Sequence, residues 1–317
     1  MSACAVPIFF FFSGYLFFLK TQAFNKDLWL KKLKSRFKSL FIPYMFWSLL
    51  GVIVYGLLAY LPYTKNIFGN GNFDFSWAYI GEQITGLKLV DGEHIYQMGY
   101  HLWFLRDLLL MAIISPVFYM LFKNNRIWPV YVLIGIWLLN PLFNFIAKIS
   151  IGSTSFIYFG LGAYFGINKI DFLCRFKKIS TVINLIYPCL IIIDWAIICG
   201  IIPSWNFKPF SNIIHGAMIL CALPFWCNIT TFLVKKNLVR DVSWLASASF
   251  FVYLIHIPFI LPQVKKILYH IANPQTQEML VSLYFATVLL SIAISLLIYK
   301  TIKHLFPNFT KIITGGR

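Results

Sequence analysis

The chain has 317 residues, of which 60% are hydrophobic and 19% aromatic, and its mean hydropathy is +0.76. Only 12% are charged, about half the share of roughly 25% in soluble domains, so the composition excludes an ordinary soluble protein. The formal net charge of +17 comes from Lys and Arg residues that flank apolar segments, which favours a membrane surface over nucleic acid as the partner.

Long apolar runs dominate the chain. Backbone groups inside a bilayer must bond to one another, and uninterrupted runs favour helices over the alternating segments of a barrel. We therefore predict an all-α fold, a polytopic transmembrane helix bundle of about nine spans that forms a single membrane domain over residues 1–317. The predicted spans are Ala3–Leu19, Leu40–Leu61, His101–Phe122, Trp128–Phe145, Thr154–Ile167, Thr181–Gly200, Asn212–Val234, Trp244–Pro262 and Met279–Lys300.

The first span resembles a signal peptide in length, but its basic residues follow it instead of preceding it. Of the 27 Lys and Arg residues, 20 lie in one set of connections, which includes residues 20–40 and the C-terminal end. This bias predicts a multi-pass protein of the cell membrane with a cytoplasmic C-terminus. Nine spans would then place residue 1 outside, so either the first helix inverts after synthesis or, as we expect, a further helix precedes the sequence given.

Residues 27–38 form a predicted amphipathic basic helix, with Trp29, Leu33 and Phe37 on its apolar side. Two interpretations are open: the helix lies in the headgroup layer, or it binds a phosphorylated cytoplasmic ligand.

The longest connection, residues 62–100, contains a predicted interfacial helix near Trp77–Leu87 and is a plausible lid or substrate-binding surface. We expect its polar side chains to be solvated, and they include Asp74, Glu82, Asp91, Glu93 and His94.

Six ionisable residues fall in the outer half of the predicted spans, where burial is costly and each is a candidate site residue. They are His101, Arg106, Asp107, Asp194, His215 and His256. A water-filled cavity open to the far side would explain them, as would groups that simply reach the interface. On a regular helix His101 and Arg106 point about 140° apart, and Arg106 and Asp107 diverge, so we expect these two to pair with different neighbouring helices.

Histidine suits general-base catalysis near neutral pH, although a lone buried histidine is more often just hydrogen-bonded. His256 is the most deeply placed of the three. The six cysteines show no ligand spacing, so we predict packing roles for them and neither a metal site nor a disulfide framework.

Four segments, in order, resemble motifs of the membrane-bound acyltransferase family 3. Pro7–Leu16 resembles the family's PxFFxxSGY segment, and Lys34–Tyr44 resembles its basic stretch ending in Pro-Tyr. Leu102–Leu108 reads LWFLRDL and is similar to a signature of the family, and Ser249–His256 resembles its SFxxYLIH.

The resemblance implies an enzyme that takes an acyl group, usually acetyl, from cytoplasmic acyl-CoA and delivers it to a hydroxyl of a saccharide or lipid-linked glycan. Acetyl-CoA would be a cosubstrate, with no bound cofactor. By the same resemblance Arg36 would meet the phosphates of CoA, and Ser13 and Gly14 would line the acyl path. Arg106 and His256 would serve the reaction zone.

The family has ten helices, and its first carries an Arg and a His that is thought to be the base. This sequence begins where the second helix begins, and Ser39 stands where relatives often have Arg. We therefore expect activity to need an upstream helix; without one, His101 or His256 would be the base. A glycan transporter or flippase, or an inactive fragment in a glycan-assembly complex, are the alternatives.

Overall fold

The computed structural model describes residues 4–21, 23–60, 76–85, 100–143, 153–202, 208–239 and 243–316. These residues are almost entirely helical, and none of them forms a β-strand, which confirms the all-α class. The fifteen α-helices of the described part are α1 Ala5–Leu19, α2 Lys26–Arg36, α3 Ile42–Tyr60, α4 Trp77–Thr85, α5 Trp103–Ile113, α6 Ser115–Phe122, α7 Trp128–Phe143, α8 Ser153–Ile167, α9 Phe172–Lys178, α10 Ser180–Ile198, α11 Lys208–Lys235, α12 Ser243–Ile255, α13 Leu261–Ala272, α14 Gln277–Leu305 and α15 Pro307–Ile313.

Several of these helices are long and apolar enough to cross a membrane. Five described segments meet both criteria: Lys26–Tyr60, Ser180–Ile198, Phe210–Lys235, Ser247–Ala272 and Gln277–Leu305. A sixth is counted if α5 and the segment Ser115–Asn125, bent by 56°, form one span. Shorter apolar helices occupy the three remaining predicted spans. The membrane-type bundle is therefore confirmed, while the number nine stays a prediction.

The chain divides into two compact units. Unit 1 comprises residues 1–33 and 110–241, and unit 2 comprises residues 34–109 and 242–317.

In unit 1, helices α1 and α8 pack backbone against backbone. A Cβ atom added to Gly14 would collide with the carbonyl oxygen of Phe159, and one added to Gly162 would collide with that of Phe11. Helices in lipid lack a hydrophobic drive to associate, so small residues that admit close backbone contact stabilise such a pair. We call this contact the glycine seam.

Unit 2 is held by an aromatic core in which α3, α12 and α14 meet. The Phe251 ring lies 5.7 Å from that of Trp47 and 5.3 Å from that of Tyr299, centroid to centroid. Trp47 also donates its indole N–H to the Ile313 carbonyl over 3.1 Å, so α15 is tied to α3. Buried aromatic pairs of this kind give about 0.5–1.5 kcal/mol each beyond their area.

The helical path of unit 2 breaks just after α12. Residues His256–Ile260 form a π-helical turn in which Ile257 is extended, and Pro258 has no N–H to continue the ladder. The hydroxyl of Tyr55 donates to the Pro258 carbonyl over 3.3 Å. Irregular backbone at membrane depth is tolerated only inside protein or beside a cavity, which makes this break a natural place for a site.

Candidate active site

Two histidines from distant parts of the sequence meet in unit 2. His101 lies in the 3-10 turn Tyr100–Leu102 that precedes α5, and His256 is the first residue of the π turn. Their ring centroids are 5.2 Å apart, with the planes inclined by 72°. His101 is buried, whereas His256 is half-buried and so the more accessible of the two.

Hydrogen bonds fix the tautomer of each ring. Nε2 of His101 lies 3.3 Å from the Leu254 carbonyl oxygen, and Nδ1 of His256 lies 2.7 Å from that of Tyr253. A carbonyl can only accept, so both nitrogens carry hydrogen. A neutral His256 therefore presents the lone pair of its Nε2 and can accept a proton there.

Tyr253 connects the two histidines. Its hydroxyl donates to the backbone carbonyl of His101, and its ring centroid lies 5.2 Å from that of His101 and 6.0 Å from that of His256. The sequence places Tyr253 in the SFxxYLIH segment but gave no sign of this positioning role, because a neutral tyrosine is unremarkable among many aromatic residues.

Arg106 and Asp107 pair with each other. The Arg106 Nε and Nη2 atoms lie 3.1 and 3.0 Å from Oδ1 of Asp107, and Asp107 has 0% of its surface exposed. The two were expected to pair with groups on different neighbouring helices; they bond to each other, and Arg106 also bonds to a neighbouring helix, α4, as described below. The predicted angle of about 140° between His101 and Arg106 does not apply either. It holds only within one regular helix, and His101 precedes that helix.

Helix α4, Trp77–Thr85, confirms the predicted helix near Trp77–Leu87 over its described residues, and Gly86 and Leu87 lie outside the described part of the chain. Two side chains of unit 2 contact the last described carbonyl groups of α4. The Tyr44 hydroxyl donates to the Ile84 carbonyl, and Nη1 of Arg106 lies 3.4 Å from the Thr85 carbonyl oxygen. Arg106 therefore links α4 to α5.

The expectation that Glu82 is solvated was wrong. Glu82 is 7% exposed and Gln83 is 2% exposed, because α4 packs this face against α3. The polar residues scattered along this connection gave no indication that Glu82 is buried. Four residues with the same expectation lie outside the described part of the chain: Asp74, Asp91, Glu93 and His94.

The residues predicted for the donor side are distributed between the units. Arg36 ends α2 and is half-buried in unit 2. Ser13 and Gly14 lie on α1 of unit 1, where Gly14 is part of the glycine seam. That contact gives Gly14 a packing role, and the acyl path and CoA contacts stay predictions.

A second ionisable pair lies in unit 1, apart from the histidines of unit 2. Nδ1 of His215 on α11 is 3.1 Å from each carboxylate oxygen of Asp194 on α10. The six ionisable residues thus form three pairs, two within unit 2 and one within unit 1. Among the described residues, no group of three or more His, Cys, Asp or Glu side chains is placed to hold a metal ion.

An all-helical membrane bundle with a histidine pair at a broken helix defines an integral membrane protein with a candidate functional site in the bundle. Comparison with family models identifies it: residues 1–300 match acyltransferase family 3, described as an acyltransferase domain, and the chain belongs to that family. It is accordingly a membrane acyltransferase that transfers groups other than aminoacyl groups. Searches of curated proteins and of solved structures each found no match.

Proposed function

We propose that this acyltransferase moves an acetyl group from cytoplasmic acetyl-CoA to a hydroxyl of a cell-surface or exported saccharide. The observation that carries the proposal is the hydrogen bond from Nδ1 of His256 to Tyr253, which leaves Nε2 as a proton acceptor at the helix break. Family membership supplies acyl transfer as the reaction class.

His256 acts as the general base in this proposal. Its Nε2 takes the proton of the acceptor hydroxyl as that oxygen attacks the thioester carbonyl carbon, and a tetrahedral oxyanion forms. The intermediate collapses, the carbon–sulfur bond breaks, and the CoA thiolate takes the proton back from the imidazolium. An O-acetyl ester and CoA leave, and His256 is neutral again.

The other proposed site residues support this step. Arg106 supplies positive charge for the oxyanion, a contribution that is large when the donor is held in place before reaction. His101 orients the His256 ring through their edge-to-face contact. On the donor side, Arg36 meets the CoA phosphates, and Ser13 and Gly14 line the acyl path. Acetyl-CoA is a cosubstrate, and no bound cofactor takes part.

The test uses membranes containing the full chain, radiolabelled acetyl-CoA and the saccharides of the host envelope. We expect release of CoA together with label in alkali-labile saccharide esters. His256→Gln should lower kcat/KM about 10²–10⁴-fold, the usual contribution of a general base. The matched control is His304→Gln, at an exposed position on α14, which should leave the rate unchanged.

An unchanged rate in His256→Gln would remove His256 from the role of base. Saccharide crossing the membrane without CoA release would favour a carrier. Absence of both activities would favour a component that only assists glycan assembly.

A further inference from the structure

Two adjoining cavities open at one end of unit 1, where α1, α6 and α8 finish. The smaller has a volume of about 150 Å³ and the larger about 330 Å³. Tyr119 and Lys123 line both, so the two cavities adjoin, and we treat them as the two compartments of one candidate site. Neither compartment contains a residue of the candidate active site.

The smaller compartment is polar. Thr21, Lys123, Asn124 and Asn168 line it. The Asn168 amide already donates to the Phe122 and Tyr164 carbonyls, so Lys123 and the Asn124 amide supply donors for a ligand. Lys32 adds a second cation behind this wall, because its Nζ donates to the Thr21 hydroxyl over 2.9 Å. Ammonium and amide N–H groups are the donors that phosphate oxygens bind.

The larger compartment is mainly apolar. Phe24, Trp29 and Met120 line it, with Lys26 at its edge. Phe24 and Tyr119 are in ring contact, their centroids 5.1 Å apart, at the junction with the polar compartment. Trp29 is held by its N–H bond to the Ala112 carbonyl, over 3.3 Å. Aromatic residues of this type are enriched where headgroups meet acyl chains.

We propose that this two-compartment site binds one anionic phospholipid. The phosphate headgroup lies in the polar compartment beside Lys123, and the first part of an acyl chain lies in the apolar compartment. None of the described residues lining either compartment is acidic, so the charge of the site complements an anion. Met120, 67% exposed, opens the apolar side to the surface of the bundle, where lipid is the solvent.

Size distinguishes this occupant from a nucleotide-containing donor. Pockets for drug-sized ligands occupy about 300–1,000 Å³. The polar compartment, at about 150 Å³, suits a single headgroup, and the rest of a nucleotide-containing donor would have to enter the apolar compartment. The proposal does not depend on which acceptor the enzyme acetylates.

Native mass spectrometry of the full chain, titrated separately with phosphatidylglycerol and phosphatidylcholine, tests the site. Replacing both Lys26 and Lys123 by Gln should weaken phosphatidylglycerol binding about thirtyfold and leave phosphatidylcholine binding unchanged. The matched control replaces Lys177 and Lys178 by Gln, two exposed lysines on α9 in the same unit. It removes equal charge and should retain the lipid.

A second variant addresses the apolar compartment without changing charge. Met120→Trp should fill part of it and weaken binding of the lipid, while the thermal unfolding temperature stays near that of the parent chain. Equal loss in both lysine pairs would mean diffuse charge attraction and would overturn the site. So would displacement of the lipid by acetyl-CoA, which would assign the cavities to the donor.

Discussion

The carboxylate of Asp107 is enclosed by protein and forms an ion pair with Arg106 over 3.0 Å. Taking one partner from a buried ion pair leaves an uncompensated charge, which typically destabilises a protein by about 3–5 kcal/mol. The consequence is that Arg106 contributes to stability whatever it does in catalysis, and its variants must be measured for both.

Arg106→Ala should lower the free energy of unfolding in detergent by about 3–5 kcal/mol, and Asp107→Asn in the same chain should recover most of that loss. Arg126→Ala, at an exposed position between α6 and α7, is the control and should have little effect. If Arg106→Ala unfolds at the same denaturant concentration as Arg126→Ala, the ion pair does not stabilise the protein.

Tyr253→Phe removes the hydroxyl that donates to the His101 carbonyl and leaves the ring contacts in place. One lost hydrogen bond of about 1 kcal/mol predicts a five- to tenfold fall in kcat with little change in KM, since the histidine pair loses its support. Tyr187→Phe in unit 1 makes the same chemical change and should keep full activity. A rise in KM with normal kcat would instead place Tyr253 in substrate binding.

Sequence alone identified the ionisable members of this site because charge at membrane depth is rare. His101, Arg106 and His256 were predicted on that ground, and the family resemblance added support for Arg106 and His256 alone; the structure brings the two histidines together, and the catalytic roles stay predictions. The partners could not be predicted, since they depend on which carbonyls are left open where a helix breaks. Glu82 was missed for a related reason: α4 has nine residues, too few for its buried face to show as a periodic pattern.

Helices α1 and α8 make a close contact, and individual glycine residues explain why the two backbones can approach. A Cβ at Gly162 would fall on a backbone oxygen of α1, which cannot rotate away as a side chain can. By contrast, a Cβ at Gly51 of α3 would meet nothing within 4 Å.

Gly162→Ala should therefore lower the thermal unfolding temperature in detergent, with an overpacking penalty of about 1–3 kcal/mol. Gly51→Ala is the matched control and should be neutral or slightly stabilising, because alanine favours helix over glycine by about 0.5–1 kcal/mol. Equal unfolding temperatures for the two variants would show that α1 and α8 can move apart without loss of stability.

Apolar runs predicted the positions of the helices well, because each span must satisfy its backbone internally. They did not predict that residues Lys26 to Tyr60 form one helical segment that contains a π turn. The predicted span began at Leu40, inside this segment. The two helix breaks lie near Pro116 and Pro258, and a proline can be seen in the sequence. The bend angles depend on tertiary packing, which a local sequence pattern does not determine.

At the scale of the whole molecule, two native cysteines offer a test of orientation. Cys174 lies on α9 and Cys199 follows α10, so they flank one long apolar helix, and both are exposed. The distribution of Lys and Arg predicts that Cys174 is cytoplasmic and Cys199 is on the far side. In variants that keep one of these cysteines, an impermeant maleimide should label Cys199 in intact cells and Cys174 only after permeabilisation.

The two thiols should also differ in their dependence on pH. A side-chain hydrogen bond with Asp171 raises the pKa of the Cys174 thiol, so less of the reactive thiolate is present at a given pH. Labelling of Cys174 should need higher pH than labelling of an ordinary thiol, and Asp171→Asn should shift the profile back down. Labelling of Cys174 in sealed cells would reverse the predicted orientation.

The glycine seam has a consequence for how the protein is made. Its two helices are separated by more than a hundred residues of chain, and ribosomes add about 5–20 residues per second, so α8 follows α1 by roughly 7–30 s. During that interval the face of α1 around Gly14 lacks the helix that covers it in the folded protein. We expect other helices rich in small residues to compete for that face until α8 is made.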